Sequence, residues 1–235
     1  MTSKTYFLIV FIGLSVWFAN AQAPIDSLCL QFNIKWNDTK LVLQKKYLSQ
    51  SDSLEISAFK FYVSGIAVQF DDNSEFIQKN SYHLVNIDQP TSLVIPLFKQ
   101  TNKLIKNIAF SIGIDSLSSV SGALSGDLDA INGMYWAWQS GFINLKIEGK
   151  SSLCKTRKNQ FQFHIGGYLH PNYALRKIRL NSKKNVFDKT ALEIDINAAA
   201  LFNQIDLSTN NAVMIPGTEA MKIADLVSKL FYLNE

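Results

Sequence analysis

From Ser27 to Trp36, apolar and polar side chains alternate. Leu28, Leu30, Phe32 and Ile34 share one parity; Cys29, Gln31, Asn33 and Lys35 share the other. A period of two predicts a strand with one face buried. The aromatic and β-branched run Ile56–Phe70 reads as a second, longer strand, closed by the turn signal Asp71–Ser74. SYHLVNID, TSLVIPLF and NKLIKNIAFSIGID follow as further short strands. FINLKIEG sets Ile143, Leu145 and Ile147 against Phe142, Asn144, Lys146 and Glu148. In NQFQFHIGG, Phe161, Phe163 and Ile165 take one face, and Gln162 and His164 the other. ALRKIRL and ALEIDIN are two more strands.

The period changes near the C-terminus. Ala220, Ile223, Ala224, Val227, Leu230 and Phe231 recur at helical spacing, with Pro216-Gly217 breaking the chain before them and Thr218 placed as an N-cap. A short helix is also expected within Asn197–Ile205. Ser116–Gly133, rich in Ser, Gly and Asp, reads as a long loop with one helical turn, and loops of that length inside a compact domain are often functional. About nine short strands without βαβ alternation predict an all-β fold. The expected form is a single-domain antiparallel β-sandwich with one or two short helices, including a C-terminal one.

Composition adds a compartment. An apolar run from Tyr6 to Phe18 follows Lys4 and ends at Ala19-Asn20-Ala21, a small-x-small cleavage pattern. Residues 1–21 are therefore expected to be a secretory signal peptide and 22–235 the domain it exports. The run is short for a membrane span of about 20 residues, and no later run is longer. The chain is 47% hydrophobic and 18% charged, with 23 Lys and Arg against 19 Asp and Glu. It is mildly basic, and the densest basic stretch, Lys150–Lys158, falls between two strands as a hairpin loop. That is not the basic face with interleaved aromatics of a nucleic-acid binder. Cys29 and Cys154 are the two cysteines; in an oxidising compartment they either pair or stay free, and spacing leaves both open.

Familiar catalytic patterns are missing. There is no G-x-S-x-G elbow, H-E-x-x-H, P-loop or dinucleotide fingerprint, so a hydrolase is disfavoured and no enzymatic role is expected. GDLDAING (Gly126–Gly133) sets its Asn and Gly one place late for a calcium loop, which favours a turn. The histidines are His83, His164 and His170. On spacing alone each is most simply a strand or turn residue, although neutral imidazole is also the commonest metal ligand. Trp136 and Trp138 are two apart, so on a strand they point the same way, as core aromatics or as something more.

The stretch GMYWAWQSGFINLKIEG closely resembles the signature of the MbnP-like family, exported β-rich proteins related to a partner of methanobactin, the bacterial copper-scavenging peptide. FKFYVSGIAVQF, YHLVNID, FSIGID, FQFHIGGY, ALRKIRL and VMIPGTEAMKIADLVSKLF agree in order, so the resemblance covers nearly all of the exported chain. It implies a periplasmic or secreted, copper-associated protein. In such relatives a tryptophan is oxidised to kynurenine by a dihaem enzyme of the cytochrome c peroxidase type, and histidines join it in holding copper. Carried over, Trp136 or Trp138 is the candidate for modification, His164 the best histidine ligand and His83 the second. The sequence departs in having no histidine close after the tryptophans. That leaves a second reading, a β-sandwich module whose aromatic face binds a ligand or protein without metal.

Overall fold

The structure, a computed structural model, describes residues 27–49, 52–99, 102–138, 141–182 and 190–234. The expected signal peptide lies outside these residues. In chain order the first strands are β1 (Ser27–Trp36), β2 (Thr39–Lys40), β3 (Lys46–Ser49), β4 (Asp52–Phe70), β5 (Glu75–Ile77), β6 (Tyr82–Asn86), β7 (Val94–Lys99) and β8 (Ile105–Ile112). Helix α1 (Ser116–Val120) precedes β9 (Tyr135–Trp136), β10 (Gly141–Ser151), β11 (Gln160–Gly166), β12 (Arg176–Asn181) and β13 (Ala191–Asn197). Helix α2 (Ala198–Phe202), β14 (Ala212–Val213), helix α3 (Thr218–Val227) and β15 (Phe231–Leu233) complete the order. Among the described residues no helix is long and apolar enough to cross a membrane.

Two sheets face each other. The smaller runs β15-β13-β1-β2 with β7 also on β1; the larger runs β12-β8-β4-β10-β11-β14, with β3, β5 and β6 also on β4. Apolar faces meet between them. Phe32 of β1 stands edge-on to Phe61 and Phe110 of the opposite sheet, with ring centroids 5.7 and 5.8 Å apart, the geometry that the ring quadrupole favours. Alternation in β1 thus buries the side that the sequence assigned to the core.

Several expectations need correcting. The sandwich is mixed, because β1–β13 and β11–β14 pair in parallel. Strands so far apart in sequence are free of the hairpin geometry that enforces antiparallel pairing. Three α-helices occur in the described residues rather than one or two. The last is shorter than its apolar spacing suggests and starts after Gly217, not Thr218, as N-cap. It ends at Val227 because Phe231 pairs with Ile196 as part of β15 and sets its ring against Phe61 and Phe110. Both cysteines are free of disulfide: the Cys29 thiol points to the Thr190 carbonyl and the Cys154 thiol to that of Leu207.

β4 is the spine of the larger sheet. Its buried parity changes from Leu54 and Ile56 to Phe59, Phe61 and Val63, then back to Ile66, Val68 and Phe70. Each change coincides with a register shift, one against β10 between Gly149 and Glu148 and one against β8 between Ser64 and Ala67. An extra residue at a β-bulge flips the side-chain parity. At the second bulge Gly65 adopts a φ of 58°, a left-handed conformation that glycine takes without Cβ strain.

The outer face of this sheet carries a second apolar cluster: Tyr62, Leu84, Ile114, Leu128, Met134, Trp136, Phe142 and Ile143. It is roofed by the segment after β8, which contains α1, two 3₁₀ turns and β9. Ile143 belongs here, with Phe142, and not with Leu145 and Ile147 as simple alternation suggests. β10 carries a register irregularity between Ile143 and Leu145, so the two parities separate at that point.

Candidate functional site

The site grows out of strand register. β10 and β11 form a hairpin whose connection is the basic stretch expected there. Lys146 lies opposite His164, Lys60 opposite Lys146, and Asn86 opposite Lys60. These residues make a polar row across four strands on the outer face. One step along, Glu148 lies opposite Gln162. One step the other way, the apolar cluster begins with Tyr62 and Gly166.

His164 is 7% exposed, more buried than a wet sheet face predicts. Its Nε2 lies 2.7 Å from Oε1 of Glu148, and Lys146 Nζ is 3.4 Å from the same oxygen. The hydrogen bond from His164, and then the charge of Lys146, hold the Glu148 carboxyl below its usual pKa against the opposing effect of burial. The two lysines of the row also reach the roof. Lys60 donates to the Asn132 carbonyl at 3.3 Å and Lys146 to that of Gly133 at 3.4 Å.

Trp136 packs beside this row. β9 pairs with the start of β10, Trp136 opposite Gly141, which lays the indole over Gly166. A Cβ on Gly166 would sit 2.7 Å from Trp136 Cζ3 and 2.5 Å from the Phe142 carbonyl oxygen, so only glycine leaves the ring room. Gly166 and His164 are successive positions on one face of β11, about 7 Å apart along the strand. The indole and the imidazole are therefore neighbours on the same surface. Trp138 differs from its expected placement: it lies beyond β9, 65% exposed against 6% for Trp136. The two rings are 6.0 Å apart and tilted by 49°.

His83 does not join them. It shares parity with Val85, whose side chain enters the main core, so it points to the opposite side of the sheet from His164. Its Nε2 is 3.0 Å from Gln78 Oε1. Burial pushes its pKa down, partly countered by Asp127. His170 lies in an exposed turn and lines a cleft of about 280 Å³ with Leu169, Asn172 and Pro216. Among the described residues no three His, Cys, Asp or Glu side chains converge.

GDLDAING forms turns, as its spacing suggests. Asp129 Oδ1 accepts from Ile131 N at 2.9 Å, and Asn132 Nδ2 donates to the Gly126 carbonyl at 3.0 Å. Asp127 Oδ2 accepts from Leu84 N at 2.9 Å, which fastens the roof to β6. Sequence reading passed over Glu148, Lys60 and Gly166. Alternation did place Glu148 and His164 on polar faces, but only the β10–β11 register brings them together.

No curated protein matches the chain. The solved structure of MbnP from Methylosinus trichosporium is similar in fold, with a TM-score of 0.60 at 14% identity, covering 80% of this chain and 82% of that one. A sequence model described as MbnP matches residues 26–215, and the chain accordingly belongs to the MbnP family.

Proposed function

We propose that this is an exported, non-enzymatic copper-handling protein of the periplasm or extracellular space, in which His164 and the oxidised ring of Trp136 hold a copper ion as cargo. The observation that carries the reading is the placement of Trp136 over Gly166, one same-face position from His164. Family membership supports a methanobactin-related context. Imidazole nitrogen suits copper. An intact indole offers only an N–H donor, whereas kynurenine offers an amine and carbonyls. The residues present thus fit such an ion with one ready donor and one that oxidation supplies. Trp136 is favoured over Trp138 by its position, and a dihaem partner enzyme of the peroxidase type is the proposed oxidant.

Copper content of the protein purified from the periplasm tests the reading. Wild type is expected to carry copper or to bind added Cu(I), and His164→Ala to lose it. Intact mass is expected to show about +4 Da, one oxygen gained and one carbon lost, after coexpression with such an enzyme. A wild-type protein that neither retains copper nor binds added Cu(I) sinks the proposal.

One observation favours a second reading, a protein- or ligand-docking module without metal. Leu117, Val120, Ile131 and Trp138 of the roof segment are exposed apolar side chains. Saturable partner binding that survives His164→Ala and fails in Trp138→Ala would support it.

A further inference from the structure

We infer that Glu148 is a positioning residue, which fixes His164 as the Nε2–H tautomer and so makes Nδ1 the nitrogen that meets a soft cation. The inference rests on the copper reading for its consequence, but its structural half stands alone.

Register supplies the first argument. His164 lies opposite Lys146, and Glu148 opposite Gln162, so the carboxylate and the imidazole are diagonal neighbours on one face, within reach of longer side chains. The 2.7 Å separation from Nε2 is that of a charge-assisted hydrogen bond. Glu148 is an anion at neutral pH and can only accept. The proton between the two must therefore be on Nε2. In a neutral imidazole that leaves the lone pair on Nδ1.

The other ring nitrogen supplies the second. Nδ1 makes no hydrogen bond among the described residues. Nδ1 is thus the unpaired nitrogen of a side chain that is almost wholly buried. Metal-ligating histidines commonly donate their other ring N–H to a carboxylate, which orients the ring and raises its basicity. Lys146, also on Glu148 Oε1, holds the carboxylate in place. His83 offers a contrast: its Nε2 faces a neutral amide on the other side of the sheet.

Long-range ¹H–¹⁵N correlation spectra of the metal-free protein at neutral pH, with His164 assigned through His164→Gln, test the tautomer directly. The expected result is a protonated Nε2 and a bare Nδ1 in wild type, and a mixture of tautomers in Glu148→Gln. A wild-type Nδ1–H tautomer, or an unchanged pattern in Glu148→Gln, overturns the inference. Competition titration with Cu(I) tests the consequence. Glu148→Gln is expected to bind about 10- to 100-fold more weakly than wild type, and equal affinity overturns the positioning role. Should wild type bind no Cu(I), the copper reading fails, while the spectra still decide the tautomer. The wild-type spectrum needs no variant, so a folding defect in Glu148→Gln does not shield the inference.

Discussion

The two faces of the larger sheet bury apolar surface in different ways. Between the sheets the core is aliphatic and Phe-rich, and its rings meet edge to face: Phe32, Phe59, Phe61, Phe110 and Phe231. Beneath the roof segment Phe142 is joined by aromatics with polar tips. Tyr62 donates its hydroxyl to the Asp127 carbonyl at 2.8 Å, and the half-buried Tyr82 donates to Asp115 at 2.6 Å. Burial carries the Tyr62 hydroxyl well above its ordinary pKa. The contrast follows from what covers each face. A sheet packed on a sheet satisfies its backbone within strands and asks only for apolar fill. An irregular segment brings unpaired carbonyls and amides, which side chains must meet. Polar groups that can serve chemistry collect at that second boundary.

The largest expected effect breaks the first region. Phe61→Ala removes a fully buried ring that touches three others and should cost about 3–5 kcal/mol, read as a lower urea midpoint with far-UV and near-UV signals lost together. Gly166→Ala attacks the second region. The added Cβ should displace Trp136 and cost about 1–3 kcal/mol, with a shifted Trp fluorescence spectrum; an unchanged spectrum would mean that the indole does not sit there. Tyr62→Phe should cost about 1 kcal/mol, since the Asp127 carbonyl that it releases keeps a second donor, Asn132 Nδ2 at 3.1 Å. A loss as large as that of Phe61→Ala would erase the distinction between the two regions.

His83 tests the edge where the regions meet. Burial lowers its folded pKa below the ordinary 6.5, so the unfolded chain takes up the proton first. Stability attributable to neutral His83 is full above pH 6.5 and declines as pH falls toward the folded value. His83→Gln should flatten that part of the stability–pH curve, measured by chemical denaturation. Glu148 acts in a lower window. Its folded pKa is depressed, so its contribution is present above the ordinary 4.5 and lost as pH falls below that toward the folded value. The smallest effect is expected from Lys60→Met, which frees one roof carbonyl at 3.3 Å and should change stability by about 1 kcal/mol or less.

Alternation placed the core faces of β1 and β11 because a half-buried strand writes its burial into its parity. It misplaced Ile143 and could not follow the parity of β4, since bulges insert a residue that no local pattern announces. The helical spacing of α3 ran on to Phe231, where a strand pairing took over. The site was legible as separate parts: an aromatic stretch, a histidine on a polar face, a turn rich in Asp and Asn. Their convergence was not, because it depends on register between strands.

The sequence by itself determined a β-rich chain, the polarity of its faces and, through the tryptophan block, its family. Tertiary structure alone decided that Trp136 lies over Gly166 beside His164, that Glu148 grips the imidazole, and that His83 turns to the other side of the sheet. The reason is physical. Periodicity is a property of neighbours along the chain, whereas the meeting of an indole, an imidazole and a carboxylate is set by hydrogen-bond register between strands and by the fold of the segment that roofs them.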